Sequence, residues 1–336
     1  MSKLLSIIIP VYKVEPYINK CLDSLLLYTT DKAGKQVLDR ERMEQMDILI
    51  INDGTPDRSA EMSREYVARY PEYFRQIDKE NGGHGSVWNM GVMEAKGKYI
   101  KFLDSDDWFE NLDLLIDKLN ETDADIVLTH TLDHCENNEL WLHKVDGIEY
   151  GKVYDMETYD WMHNKINLNC FLHHCSTFKR ELLLPYIPLF IEKQPYDDSV
   201  LPMALIYAGK SMVAYDFTVY HYLMDRPGQT ISADVIRKNM SAQMRANQHT
   251  LVFLQNHIDT NMTKKTQFLN TRVRRLYQSY YIPIVELSYR ENKIRSEIWD
   301  TWVRIQKCHP MTPLMMLYKC MPYKIYRLFC KMILRK

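Results

Sequence analysis

The first 130 residues alternate between continuous apolar runs and segments whose apolar residues recur at helical spacing. Leu4-Leu5-Ser6-Ile7-Ile8-Ile9 is one such run, ended by Pro10, and Asp47-Ile48-Leu49-Ile50-Ile51 is a second, closed by Asn52-Asp53-Gly54. An apolar run without polar alternation suits a parallel strand covered on both faces. Between the two, Ile18, Cys21, Leu22, Leu25 and Leu26 mark one side of a helix predicted over 16–28. Further helices are predicted over 58–70, 84–96 and 110–120, and further strands over 73–78, 98–103 and 125–130. Residues 29–46 read as a charged insertion. Repeated strand–helix–strand units imply right-handed crossovers, hence an α/β fold with a mainly parallel, twisted sheet and helices on both faces.

From 131 to 225 the pattern is mixed and rich in aromatic residues. After 234 it turns helical, over 234–258, 263–290 and 293–306, with Pro283 kinking the middle helix. These shifts predict an α/β domain over 1–230 and a C-terminal helical extension over 231–336. The end of that extension is distinct. Residues 301–336 carry Arg304, Lys307, Lys319, Lys324, Arg327, Lys331, Arg335 and Lys336, no Asp or Glu, and interleaved Leu, Met, Tyr, Phe and Ile. Such a tail is either a membrane-surface element or a helical cap whose charges are solvated.

Composition narrows the function classes. A net charge of -1 argues against general nucleic-acid binding. The seven cysteines are odd in number and irregularly spaced, with no C-x-x-C, which points to a reducing cytoplasm rather than a disulfide framework. Leu4 to Val11 is too short to cross a membrane and no small-residue cleavage site follows it, so neither a spanning segment nor an export signal is expected.

In an open α/β sheet, ligands bind beyond the carboxyl ends of the strands. Three predicted strands end in Pro10-Val11-Tyr12, Asn52-Asp53-Gly54 and Asp104-Ser105-Asp106-Asp107, so polar and acidic groups converge on one rim. Three carboxylates within four residues repel one another, and a hard divalent cation would relieve the repulsion. The alternative is that Asp106 or Asp107 caps the helix near 110. His173-His174-Cys175 with Cys170, and His130, His134 and Cys135, do not make closed zinc sets: a strand there would send neighbours to opposite faces. The absence of G-x-S-x-G and of a Walker-type loop leaves hydrolase and NTPase readings without support.

Taken in order, Ser6-Ile7-Ile8-Ile9-Pro10-Val11-Tyr12 with Glu15, Asn52-Asp53-Gly54-Thr55-Pro56-Asp57-Arg58-Ser59, Asn81-Gly82-Gly83 through Asn89-Met90-Gly91, and Phe102-Leu103-Asp104-Ser105-Asp106-Asp107 resemble the signatures of glycosyltransferase family 2. They cover about residues 4–110. The resemblance implies a GT-A type fold, with a nucleotide-binding half over 1–110 and an acceptor half over 111–230. It also implies an inverting, metal-dependent transfer from a nucleotide diphosphate sugar, a UDP-sugar in the first instance. Carried over by motif, Pro10, Val11, Tyr12, Glu15 and Asp53 would hold the nucleoside, with Asp53 on the base, and Asn89 and Ser105 would line the donor site. Asp104 would face ribose or phosphate, and Asp106, with Asp104, would ligate Mn²⁺ or Mg²⁺. Trp88 stands where family members often carry Arg, a departure that bears on a phosphate or sugar contact.

The acceptor hydroxyl must lose a proton as it attacks. The family places an acidic pair after the D-x-D motif, and Tyr196-Asp197-Asp198-Ser199 fits, with Asp at 197 in place of the more usual Glu. Asp198 is thereby expected to be the base and Asp197 its supporting neighbour; the alternative is an N-cap for a helix over 198–208. Tyr220-His221-Tyr222 through Arg226-Pro227-Gly228 resembles a later family segment. There Arg226 could fork onto the diphosphate, and His221 could be a metal ligand, although a satisfied structural histidine is the simpler reading. The expected partners are a nucleotide-sugar donor and a carbohydrate or lipid-linked acceptor, as in cell-surface polysaccharide or glycolipid assembly at the cytoplasmic side of a membrane. Two rival readings stay open. One is a non-catalytic nucleotide-sugar-binding protein on the same fold. The other is a nucleotidylyltransferase, for which Tyr12-Lys13-Val14-Glu15 lacks the expected Gly-rich phosphate loop.

Overall fold

A ten-stranded sheet organises the protein. The structure, a computed structural model, describes residues 3–135, 138–164, 166–224, 240–258 and 263–272. In chain order the elements are β1 (Lys3–Val11), α1 (Ile18–Asp23), β2 (Tyr28–Thr30), β3 (Gln36–Leu38), α2 (Arg40–Met43), β4 (Met46–Asn52) and α3 (Ser59–Arg69). There follow β5 (Phe74–Asp78), α4 (His84–Glu94), β6 (Gly97–Phe102), β7 (Trp108–Phe109), α5 (Leu112–Glu121), β8 (Ile126–His134), β9 (Leu140–His143) and β10 (Tyr154–Asp155). The last are β11 (Ser176–Lys179), α6 (Leu201–Ala208), β12 (Ser211–Leu223) and α7 (Met240–His257), and residues 264–272 are also helical.

The strand order is β10-β12-β8-β11-β6-β1-β4-β5, with β7 on β12 and β9 on β8. β1 pairs parallel with both β4 and β6, and β4 pairs parallel with β5. Leu5, Ile7, Ile8, Ile9 and Val11 are all fully buried, which is why this run shows no polar alternation. Leu5, Ile7, Ile9 and Val11 pack in one core with Ile18, Cys21 and Leu22 of α1 and Leu112, Leu115, Ile116 and Leu119 of α5. The opposite face receives α4, whose Gly91 approaches Ile8 so closely that an added Cβ would lie 2.4 Å from Ile8 Cγ2. Each fully buried Ile or Leu contributes about 1.5–3 kcal/mol relative to exposure, so β1 alone is a large share of the fold's stability.

The long ladders of the sheet are parallel, as expected, and short antiparallel pairings join and flank them. β8 and β12 are parallel to each other, but β11 runs antiparallel to β6 on one side and to β8 on the other. The helix predicted over 16–28 spans only Ile18–Asp23. The chain turns at Leu25 and Leu26, and Tyr28–Thr30 then pairs with Gln36–Leu38 in a hairpin closed by Asp31 and Gly34. The charged insertion is thus a hairpin plus α2. Arg42 of α2 ties it to the core side by bonding Asp39 at 2.6 Å and Asp117 of α5 at 2.8 Å. Residues 1–273 form one compact unit, so the boundary expected near 230 falls inside it, and the helices at 240–257 and 264–272 belong to the same body as the sheet. The remainder of the predicted helical extension, with Pro283 and the basic tail, lies outside the described residues, as do residues 225–239.

Candidate active site

The turns after β1 and β4 are stitched together by short polar side chains. The Asp57 carboxylate accepts from the hydroxyls of Thr55 and Ser59 and from the backbone N–H groups of Ser59 and Glu15. These bonds hold its pKa below the usual value although burial pushes the other way. Lys13, at φ 56°, sits in the left-handed region, and its N–H donates to Thr55 Oγ1 at 2.8 Å. Beyond β1, Tyr12 is 42% exposed, while the Val11 side chain belongs to the core.

Asp53, at the end of β4, is buried and fully engaged. Its Oδ1 accepts from Gly82 N–H at 2.8 Å and from Lys79 Nζ at 2.7 Å, and its Oδ2 accepts from Gly83 N–H at 2.8 Å. The Gly82–Gly83 turn is therefore built onto Asp53. Gly83 has φ 81°, and a Cβ there would lie 2.9 Å from the backbone nitrogen of Lys193; a Cβ on Gly85 would lie 2.1 Å from Ile191 O. Only glycine lets the start of α4 lie this close to the 190–193 loop.

His84 follows directly. Its Nδ1 is 2.9 Å from Asp197 Oδ2 and its Nε2 is 3.2 Å from Asp104 Oδ1. Burial alone would discharge this imidazole, but the two carboxylates outweigh it and raise its pKa well above the ordinary value. Asp104 meets a second imidazole, His173 Nε2, at 3.3 Å, and the two histidines hold it ionised against the effect of burial. A single cationic side chain thus joins the D-x-D turn to the acidic pair.

The acidic pair rides on a segment that is itself clamped. Asn89 Oδ1 accepts from the N–H groups of Leu189 and Phe190, and its Nδ2 donates to Phe190 O. Lys193 N–H donates to Gly82 O, and from α7 His249 contacts Leu189 O and Arg245 bonds Gln194. Tyr196, at φ 66°, then turns the chain so that Asp197 and Asp198 open a single 3₁₀ turn ahead of α6. Burial first, then the negative charges of Asp197 and Asp104, raise the pKa of Asp198, offset in part by His173 and His84. A carboxylate made more basic in this way is better suited to take a proton.

The carboxylates of 104–107 are resolved differently from one another. Asp107 is buried, accepts from Tyr220 Oη at 2.6 Å and Leu223 N–H at 2.8 Å, and is pushed well above its usual pKa by burial and by Asp106 and Asp104. No helix cap is made here: α5 begins after Asn111, which is left-handed and makes no side-chain cap. The 3₁₀ turn at Asp197 likewise makes no side-chain cap, so the capping alternatives fail at both places.

A different turn supplies nitrogen donors. His173 and His174 lie in a turn just before β11, not in a strand, and their ring centroids are 3.7 Å apart. The expectation that strand alternation separates them is corrected on that ground. One ligand atom from each and one from Asp104 lie within 4.8 Å of one another. His173 Nδ1 is buried and has no hydrogen-bond partner among the described residues. Beneath the turn, the buried Lys101 donates to the carbonyls of His173, His174 and Ser176, and burial lowers its pKa to about 7. These donors suit a divalent cation, so the residues present fit the metal that the D-x-D motif implies.

Of the residues expected to bind donor or metal, Asp53, Asp104 and Asp197 are joined through Gly82, Gly83 and His84. Tyr12 is exposed beyond β1, Pro10 and Glu15 are partly exposed, and Ser105 and Asp106 are buried in the D-x-D turn. Asn89 spends its carboxamide on the 189–190 backbone, and the Val11 side chain is core. Trp88, fully buried, stacks on Phe102 at 4.1 Å and meets His173 edge-on at 4.8 Å, so it braces the site from within the core. His221 is satisfied on both nitrogens by His134 and Glu110, and His130 by Asp216 and Val145 N–H. Arg226 lies outside the described residues. Sequence reasoning missed His84, Lys79 and Lys101; the only local trace of His84 is its place directly after Gly82-Gly83.

The family model for Glycosyl transferase family 2 matches residues 6–185. The chain is 38% identical over 129 residues to the uncharacterized glycosyltransferase EpsJ of Bacillus subtilis, covering 38% of this chain and 33% of that protein. It is 27% identical over 237 residues to the minor teichoic acid biosynthesis protein GgaB of the same organism, covering 67% of this chain and 23% of that protein. The chain thus matches a third or less of the length of these curated relatives. Among solved structures, S. aureus TarS 1-349 in complex with UDP-GlcNAc is similar at a TM-score of 0.60 and 17% identity, covering 90% of this chain and 79% of that one, which establishes a shared GT-A fold. With more than half of its length matched by one family model, the chain belongs to glycosyl transferase family 2.

Proposed function

We propose that this glycosyltransferase moves a hexosyl unit from a UDP-sugar to an acceptor hydroxyl with inversion, in the assembly of a cell-surface polysaccharide, glycolipid or teichoic acid-type polymer. The observation that carries this reading is the contact of one side chain, His84, with both Asp104 and Asp197, the latter 113 residues away in sequence. It brings a donor-side carboxylate and the acidic pair to one place. Asp198 takes the proton of the acceptor hydroxyl as its oxygen attacks the anomeric carbon, and the nucleotide diphosphate leaves from the opposite face. Asp197, fixed by His84, positions that base. A divalent cation held by Asp104 and Asp106 would offset the charge that builds on the departing diphosphate. Asp53 orders the Gly82–Gly83 turn on the nucleoside side, and Arg226 is assigned to the diphosphate.

The UDP donor and polymer acceptor are supported by the kinship to a protein named for teichoic acid biosynthesis and by the fold shared with a UDP-GlcNAc complex. No described helix is long and apolar enough to cross a membrane; contact with a membrane surface is assigned to residues 301–336. The test is a panel of UDP-sugars with Mn²⁺, read by donor hydrolysis and calorimetry. Wild-type protein should bind UDP and turn over one donor, and Asp198→Asn and Asp106→Ala should lose turnover while keeping their thermal transition. Binding of UDP without turnover of any donor overturns the reading.

A further inference from the structure

The histidine pair before β11 neither takes nor gives a proton in the transfer just described, yet its surroundings fix it closely. Lys101 sits fully buried beneath it and donates to two carbonyls of the turn and to that of Ser176 at the start of β11, which sets the backbone there. Trp88 packs its edge against the His173 ring, and Tyr220 and Tyr222 lie 4.9 and 4.8 Å from the His174 ring. Both imidazoles are thus held in place. His173 is 3% exposed, and among the described residues its Nδ1 finds no hydrogen-bond partner, an expensive arrangement for a buried polar atom unless a ligand answers it.

We propose that His173 and His174 join Asp104 in a mixed nitrogen–oxygen site that selects a transition-metal dication of the Mn²⁺ class over Mg²⁺. Their ligand atoms already lie within 4.8 Å of one another. Metal–nitrogen and metal–oxygen bonds of about 2.0–2.2 Å put ligand atoms roughly 3–4 Å apart, so small side-chain rotations close the set. Imidazole favours transition metals, whereas Mg²⁺ prefers an all-oxygen shell and keeps its waters. The inference rests on the function proposed above only for what the ion does; where it sits stands on the geometry.

The experiment uses the full chain, stripped by chelator and free of nucleotide. Calorimetry with MnCl₂ should give one site, with MgCl₂ binding at least about tenfold more weakly. His174→Gln and His173→Gln should each weaken Mn²⁺ by about tenfold or more. Pulsed EPR of the Mn²⁺-loaded wild type should show imidazole-nitrogen coupling, a readout that stands even if a variant fails to fold. Coupling to oxygen ligands and water alone, or unchanged Mn²⁺ affinity in folded histidine variants, overturns the site. The two readings separate cleanly. Turnover of a UDP-sugar without nitrogen coupling sinks the ligand set and keeps the transferase; nitrogen coupling without turnover does the reverse.

Discussion

His84 Nδ1 lies 2.9 Å from a carboxylate oxygen of Asp197. Its other nitrogen faces Asp104, so two carboxylates that would repel each other share one cation. His84→Gln removes the charge and keeps some hydrogen bonding. It should lower kcat by about tenfold or more with a smaller change in donor KM, because the loss falls on the geometry of the acidic pair. Steady-state kinetics check this; an equal loss in donor binding alone would place His84 on the nucleotide instead.

Asn89 makes three hydrogen bonds to the backbone of Leu189 and Phe190, all buried. Asn89→Ala leaves those groups unpaired, and a loss of about 2–4 kcal/mol is expected. Chemical denaturation should register that loss, while calorimetry with UDP on the folded variant should give an affinity close to wild type.

Trp88 is part of the core, packed against Phe102 and Phe190. Trp88→Arg, which restores the residue type common in the family, should not tighten donor binding; it buries a guanidinium between Phe102 and Phe190 and should cost several kcal/mol. Trp88→Phe, a milder cavity, should cost about 1–3 kcal/mol. Thermal melts of the pair should rank them in that order.

Asp47 is nearly buried beneath Arg75, at 2.6 Å, and also accepts from Ser6 Oγ and Lys96 N–H. Burial alone would raise its pKa, but these partners depress it below 3.8. A depressed carboxylate contributes stability that is present above its unfolded pKa and is lost as pH falls through the folded value. Asp47→Asn should therefore be less stable than wild type at neutral pH by about 3 kcal/mol. The gap should narrow below about pH 4, which denaturant titrations at two pH values would reveal.

The strands β1, β4 and β6 and the acidic turns at their ends were legible because continuous apolar runs and their polar stops are local signals. The motif also drew attention to 197–198, and the fold sets Asp197 against His84. What local pattern could not supply was partnership across the fold. His84 is meaningful only because Asp53 builds its turn and Asp197 returns to meet it. The histidine pair was set aside by assuming a strand, whereas β11 starts only at Ser176 and the preceding turn frees both rings from alternation. Asn89 looked like a pocket residue because its motif travels with the donor site, while its burial against a distant loop left no mark in neighbouring residues.

Four residues, Ser176–Lys179, are the sole rung by which the two parallel ladders of the described sheet are hydrogen-bonded to each other. Loops that leave the β8–β12 ladder take no part in the pairing of β1 with β4 and β6, so a change of length there leaves that register as it is. A lineage could in this way exchange what it decorates while leaving its manner of gripping the activated sugar untouched.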